Sequence, residues 1–101
     1  MTTPLRIEVT AHAQTQIASA VEWWTKNRPA APDAVLEDLH RTLGLLSVQP
    51  TMGARARQAT LSGVRRVTLS RIRYHLYYRV VDGALHVLAL WHTSRGLDPK
   101  L

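Results

Sequence analysis

The stretch "SRIRYHLYYRVVDG", Ser70 to Gly83, constrains this chain more than any other. Arg71, Arg73, His75, Tyr77 and Arg79 alternate with Ile72, Tyr74, Leu76, Tyr78 and Val80. A period of two is that of a strand with one face in a core and the other outside it. Asp82-Gly83 then separates this run from a second one, "ALHVLALWH". An Asp-Gly pair between two such runs predicts a two-residue hairpin turn of type I′. A turn of fixed length also fixes the pairing behind it.

With Val81 opposite Ala84, uninterrupted pairing puts Val80 across from Leu85, Tyr78 from Val87, Leu76 from Ala89 and Tyr74 from Trp91. These form an apolar face. On the other face Arg79 meets His86, Tyr77 meets Leu88, His75 meets Leu90 and Arg73 meets His92. Arg71, Arg73, His75, Tyr77, Arg79, His86 and His92 are thereby expected together, on the side away from whatever covers the core. Arg6 joins them if the first strand extends the same sheet.

The remaining elements supply that cover. "LRIEVT" alternates Leu5, Ile7 and Val9 with Arg6, Glu8 and Thr10, the pattern of a strand. From Ala11 to Asn27 the spacing of Ile17, Val21 and Trp24 is helical, with Thr10 as N-cap and Arg28-Pro29 as the stop. A second helix is expected from about Pro32 to Ser47, with Val35, Leu36, Leu39, Leu43 and Leu46 as its apolar stripe. Residues 51–62 read as a basic loop with at most a short turn, and "VRRVTLS" as a further strand. The predicted fold is α+β, one domain over residues 1–101, ordered β-α-α-β-β-β, with a helical hairpin on one face of a mainly antiparallel sheet.

A chain of 101 residues, 46% hydrophobic and 20% charged, can build one modest core. The absence of Cys excludes disulfides and thiolate chemistry. No apolar run reaches the length of a membrane span and the first residues lack signal-peptide organisation, so a cytoplasmic protein is expected. The net charge of +6 favours polyanions or an acidic protein as partners. No acidic residue stands between Asp38 and Asp82, a span that holds eight arginines. Arginine forks suit phosphate and carboxylate, although a base-composition bias that writes Arg for Lys produces the same count.

Several chemistries lack their signature. His12 and His40 fall on helices as surface residues, no His pair has metal-binding helical spacing, and no metal or other cofactor is expected. There is no phosphate-cradling glycine loop and no Ser nucleophile elbow. An Arg/His face can instead bind a polyanion or acidic segment. It can also cleave RNA, with His exchanging protons and Arg on the phosphate. In that second case Arg73 and His92 are the expected catalytic pair. Leu88 and Leu90 on the same face favour binding, and Trp23 is a candidate interface residue.

The order of elements and the text "GVRRVTLSRIRYHLYYRVVDGALHVLALWHTSRG" resemble the RelE/ParE superfamily of toxins from bacterial type II toxin–antitoxin systems. The likeness spans the chain and is strongest from Gly63 to Gly96. It implies a toxin held in a hetero-oligomer by a cognate antitoxin, seated on the face described above together with Arg95 of the terminal His92-x-x-Arg95. RelE-like members cleave mRNA on the ribosome, whereas ParE-like members inhibit DNA gyrase. No Tyr follows His92, and arginines replace a lysine cluster, so the resemblance leans towards the ParE-like branch. The Arg/His nuclease stays open as the alternative.

Overall fold

The computed structural model describes residues 3–101. β1 (Arg6–Val9) leads into α1 (Ala11–Asn27) and α2 (Ala34–Val48), and β2 (Ala54–Arg55), β3 (Arg65–Leu69), β4 (Tyr74–Val81) and β5 (Ala84–His92) complete the chain. The five strands form one sheet in the order β1-β5-β4-β3-β2, with β1 parallel to β5 and the other pairs antiparallel. The α+β architecture and the helix pair on one face are as expected. The addition is β2, two residues of the basic loop that pair with β3.

The helix ends have local causes. The Thr10 hydroxyl accepts from the Ala13 N–H at 3.1 Å and so satisfies a free donor of the first turn of α1. The α1 stop falls at Arg28, just before Pro29. α2 starts after Asp33, two residues later than its sequence suggests. Its stripe is narrower than expected, because Val35, Leu39 and Leu46 are buried while Leu36 remains 49% exposed. These side chains meet Leu69, Ile72, Leu76, Tyr78, Leu85, Val87 and Leu90 in the main core.

Asp82 and Gly83 adopt φ of 50° and 75°, as a type I′ turn demands, and the predicted register holds from Val81↔Ala84 to Tyr78↔Val87. Beyond it the register fails by one residue. Tyr77 pairs with Ala89, so Leu88 is the extra residue of a β-bulge. Every later side chain of β5 therefore changes face. Leu90, not Ala89, meets Leu76; Trp91 meets His75; and His92 meets Tyr74. The bulge answers a packing need. Leu88 and Ala89 both turn away from the helices, into a second apolar cluster with Val64 and Tyr77 on the opposite face.

That second cluster is covered by the segment after β5. The Trp91 indole donates to the Leu97 carbonyl at 2.7 Å, and Arg95 stacks on the Trp91 ring with its guanidinium carbon 4.1 Å from the centroid. The Leu101 carbonyl accepts from the Thr60 N–H at 2.6 Å and from the Thr60 hydroxyl at 2.5 Å, joining the segment to the basic loop. Beneath the other end of the loop, the buried Tyr78 hydroxyl donates to the Pro50 carbonyl at 2.7 Å and accepts from the Gly53 N–H at 3.0 Å. Gly53 has no room for a side chain there. A Cβ would stand 2.6 Å from the Tyr78 hydroxyl oxygen and 2.9 Å from the Arg66 carbonyl oxygen.

Candidate functional site

The sheet face away from the helices follows from the pairing of β3 with β4. Cross-strand partners point the same way, so Arg66 lies beside Tyr77, and Thr68 beside His75. The Thr68 hydroxyl is 2.9 Å from His75 Nδ1, and the His75 and Tyr77 rings meet edge to face with centroids 6.4 Å apart. Burial pushes the His75 pKa below its ordinary value, the Arg66 charge adds to that, and the Asp98 carboxylate opposes it. Loop 56–61 and the last residues wall this region into a cavity of about 260 Å³, lined by Arg55, Arg57, Arg66, Tyr77 and Asp98 among others. The Tyr77 hydroxyl points at Asp98 Oδ1 across 3.5 Å.

The expected face survives only in part. His75, Tyr77, Arg79 and His86 do share the side away from the helices, as the register at the turn requires. Tyr77 is only 3% exposed, so it is a wall and not a free contact. His86 lies across from Glu8 on the parallel β1, with Nε2 3.1 Å from the carboxylate, and Arg6 joins the same edge through its own pair with Glu8 at 3.0 Å. Arg79 is half-buried and its Nε has no partner.

Arg71, Arg73, His92 and Arg95 depart from expectation, each for a definite reason. Arg71 is in the β3–β4 turn, not on a strand, and reaches over the sheet end to α2. There it lies 3.3 Å from Asp38 and 3.4 Å from Glu37. Asp38 is 1% exposed and is also held by Arg41 at 3.1 Å, so Arg71 neutralises a buried carboxylate. Arg73 also belongs to the turn, with φ of 61°; its N–H donates to Leu69 O and its carbonyl accepts from the Thr93 N–H. The bulge carries His92 to the helix side, edge-on to Tyr74 with centroids 5.0 Å apart. His92 Nδ1 accepts from the Ser94 amide at 3.1 Å and lies 2.6 Å from the Ser94 hydroxyl. Arg73 is thus tied by its carbonyl to Thr93, the residue after His92, and among the described residues no hydrogen bond joins the Arg73 and His92 side chains. Arg95 stacks on Trp91, as described above.

The missed residues are Arg55, Arg57, Arg66 and Asp98. Arg66 was legible: in "VRRVTL" it alternates with Val67 and Leu69, which places it with Thr68 on the outer face. Arg55, Arg57 and Asp98 carried no such signal, because they lie in irregular chain brought together only by folding. Among the described residues no three His, Cys, Asp or Glu side chains gather as a metal site. No helix among them is long and apolar enough to cross a membrane.

Two helices on one face of a mixed five-stranded sheet, with a basic cavity on the other face, define a small α+β protein. A sequence model of the family described as "ParE toxin of type II toxin-antitoxin system, parDE" matches residues 7–97. This chain belongs to the ParE toxin family. Among solved structures, a chain of a chromosomal ParDE toxin–antitoxin system from P. aeruginosa superposes with a TM-score of 0.73 at 18% identity. The match covers 89% of this chain and 97% of that one, and at such identity it speaks for the shared fold. No curated protein sequence matches the chain.

Proposed function

We propose that this protein is a cytoplasmic toxin that arrests growth by interfering with DNA gyrase, and that a cognate antitoxin neutralises it within a hetero-oligomer. The observation that carries this reading is the ParE family match over nearly the whole chain. The site geometry supports it against RNA cleavage. General acid–base work on a phosphodiester needs the proton carrier and the phosphate-binding cation in mutual reach of one substrate. Here His92 turns to Tyr74 and Ser94, and Arg71 is committed to Asp38. The remaining outer face offers charge and apolar surface, which serve docking.

Controlled expression in bacteria tests the reading, with transcript integrity and plasmid supercoiling followed in one culture, with and without the cognate antitoxin. Growth arrest with intact transcripts and altered supercoiling is expected, and antitoxin co-expression should relieve it. His92→Gln should still arrest growth. Rapid transcript cleavage that disappears in His92→Gln would instead establish the nuclease.

A further inference from the structure

β1 pairs with β5 on one side only and forms an edge of the sheet. One bond fixes the direction of its backbone. The Thr10 N–H donates to the Val87 carbonyl at 3.1 Å, so in this parallel ladder Arg6, Glu8 and Thr10 turn their backbone groups towards β5. Leu5, Ile7 and Val9 therefore turn theirs outward. Two of those outward groups are already used. The Leu5 N–H donates to the Ser47 carbonyl at 2.9 Å, and the Val9 carbonyl accepts from the Gln14 side-chain amide at 3.1 Å. Between them, the N–H and carbonyl of Ile7 have no partner among the described residues, and Ile7 is 38% exposed. The open edge is a window centred on one residue.

An unpaired edge invites another strand, and the groups around this one select it. A long strand cannot lie along the edge, because Ser47 and Gln14 stand in its path at the two ends. A partner has to cross at Ile7 and diverge, as two short twisted edge strands do. Arg6 and Glu8 share one face of β1, with Ile7 on the other. Antiparallel pairing about a two-fold axis at Ile7 sets Ile7 against the partner's Ile7 and closes two N–H···O bonds. It also sets Arg6 of each copy against the partner's Glu8, in the closely spaced positions where side chains lie nearest. Arg6 reaches its own Glu8 through Nε, 3.0 Å from Oε1, which leaves both terminal nitrogens for the partner's carboxylate. The neighbouring registers fail. Centred on Arg6, the axis opposes two arginines and calls on the Leu5 N–H, which is taken. Centred on Glu8, it opposes two carboxylates and calls on the Val9 carbonyl, which is also taken. A shift by a single residue sends Ile7 to the wrong face. One register is self-complementary.

We propose that β1 is a self-association edge: two copies of this chain pair antiparallel at Ile7 and join their sheets into one. The two-fold axis stands perpendicular to the joined sheet, so both helix layers fall on the same side of it. On that side an open apolar groove lined by Val9, Ile17, Ala18, Val21 and Leu36 borders the contact and adds area to it. Two backbone bonds and two exposed ion pairs belong to the weak, transient class of interface. The dimer therefore forms at high local concentration and gives way at low. The pairing requires neither gyrase nor an antitoxin.

The test is sedimentation velocity and amide NMR of the purified full chain, over a concentration series reaching about 1 mM. Association should grow with concentration, move the amide shifts of residues 6–9 and slow hydrogen exchange at the Ile7 amide. Arg6→Glu makes the edge doubly acidic and Glu8→Arg makes it doubly basic. Each alone should weaken self-association about tenfold, because like charges then stand opposite. Mixed in equal amounts, the two variants meet with opposite charges and should recover association to within about threefold of wild type. Backbone spectra of each variant check that it folds, and the wild-type series decides the matter by itself if one does not. A chain that stays monomeric at the highest concentration, a dimer whose shifts fall on α1 and α2 and leave Ile7 unmoved, or a mixture that associates no better than either variant alone would overturn the pairing. So would an Ile7 amide protected only once the cognate antitoxin is added, since the edge would then belong to that partner.

Discussion

His75 shows how much of a residue's chemistry is local and how much is borrowed. Its place on the outer face follows from alternation along β4. Its lowered pKa comes from burial and from Arg66, a neighbour across the strand pair. The sign of the consequence is definite. Above its ordinary value of 6.5 the ring is neutral in both folded and unfolded chains. Below it, the unfolded chain takes up a proton that the folded site resists. Stability should therefore fall as the pH drops from about 6.5 through the lower folded value, and level off beneath it. His75→Gln removes this component, so its melting temperature should fall less than wild type between about pH 7.5 and about pH 5. Thermal melts across that range decide it, and parallel losses in the two proteins would contradict the assignment. Arg71 carries the complementary lesson. Its sequence position reads as an exposed cation on a strand, but a four-residue turn at Ser70–Arg73 swings it to the buried Asp38. The partner lies 33 residues away in sequence, and nothing local signals it.

At the scale of the element, the bulge at Leu88 decides the face of everything after it. The hairpin turn and the first four pairs were legible, because Asp82-Gly83 allows one kind of turn and the turn sets the adjacent register. The bulge was not. "HVLALWH" alternates as plausibly without it, and only the second apolar cluster makes an extra outward side chain favourable. Leu88→Ala should keep the bulge and cost about 2–5 kcal/mol through the lost burial. Deleting Leu88 should do something different in kind. It closes the ladder into one unbroken register, with Tyr77 still on Ala89 and Leu76 still on Leu90, so Leu90 stays inward, Trp91 stays outward and only the second cluster loses a side chain. Chemical denaturation measures the two losses, and tryptophan emission should keep its wild-type maximum in both because Trp91 does not change face. A deletion variant as stable as wild type, with unchanged emission, would show that the bulge is not required.

The whole molecule is a sheet with two unequal apolar faces. The helices cover the larger core, and the segment after β5 with the basic loop covers the smaller one. A chain of this size gains little from a second core unless it serves another purpose. Here it brings Arg55, Arg57, Arg66 and Asp98 to one cavity. Removing residues 96–101 should leave the helical and sheet content in place while lowering the melting temperature and exposing Leu88, Ala89 and Val64 to a hydrophobic dye. Unchanged melting and no dye binding would mean that these residues contribute no cover.

What the sequence determined by itself is what depends on short-range patterning. The helix α1 with its Thr10 cap, the strands β3 to β5, the Asp82-Gly83 turn, the α+β class and the resemblance to ParE-like toxins all rest on period, caps and element order. Tertiary structure alone decided the second half of the hairpin register, the partners of Arg71 and His92, and the gathering of the cavity arginines. Those features depend on which surfaces must be filled or neutralised once distant segments meet. A bulge or an ion pair across 33 residues lowers the free energy of the packed chain without leaving a mark on the local pattern of residues that make it.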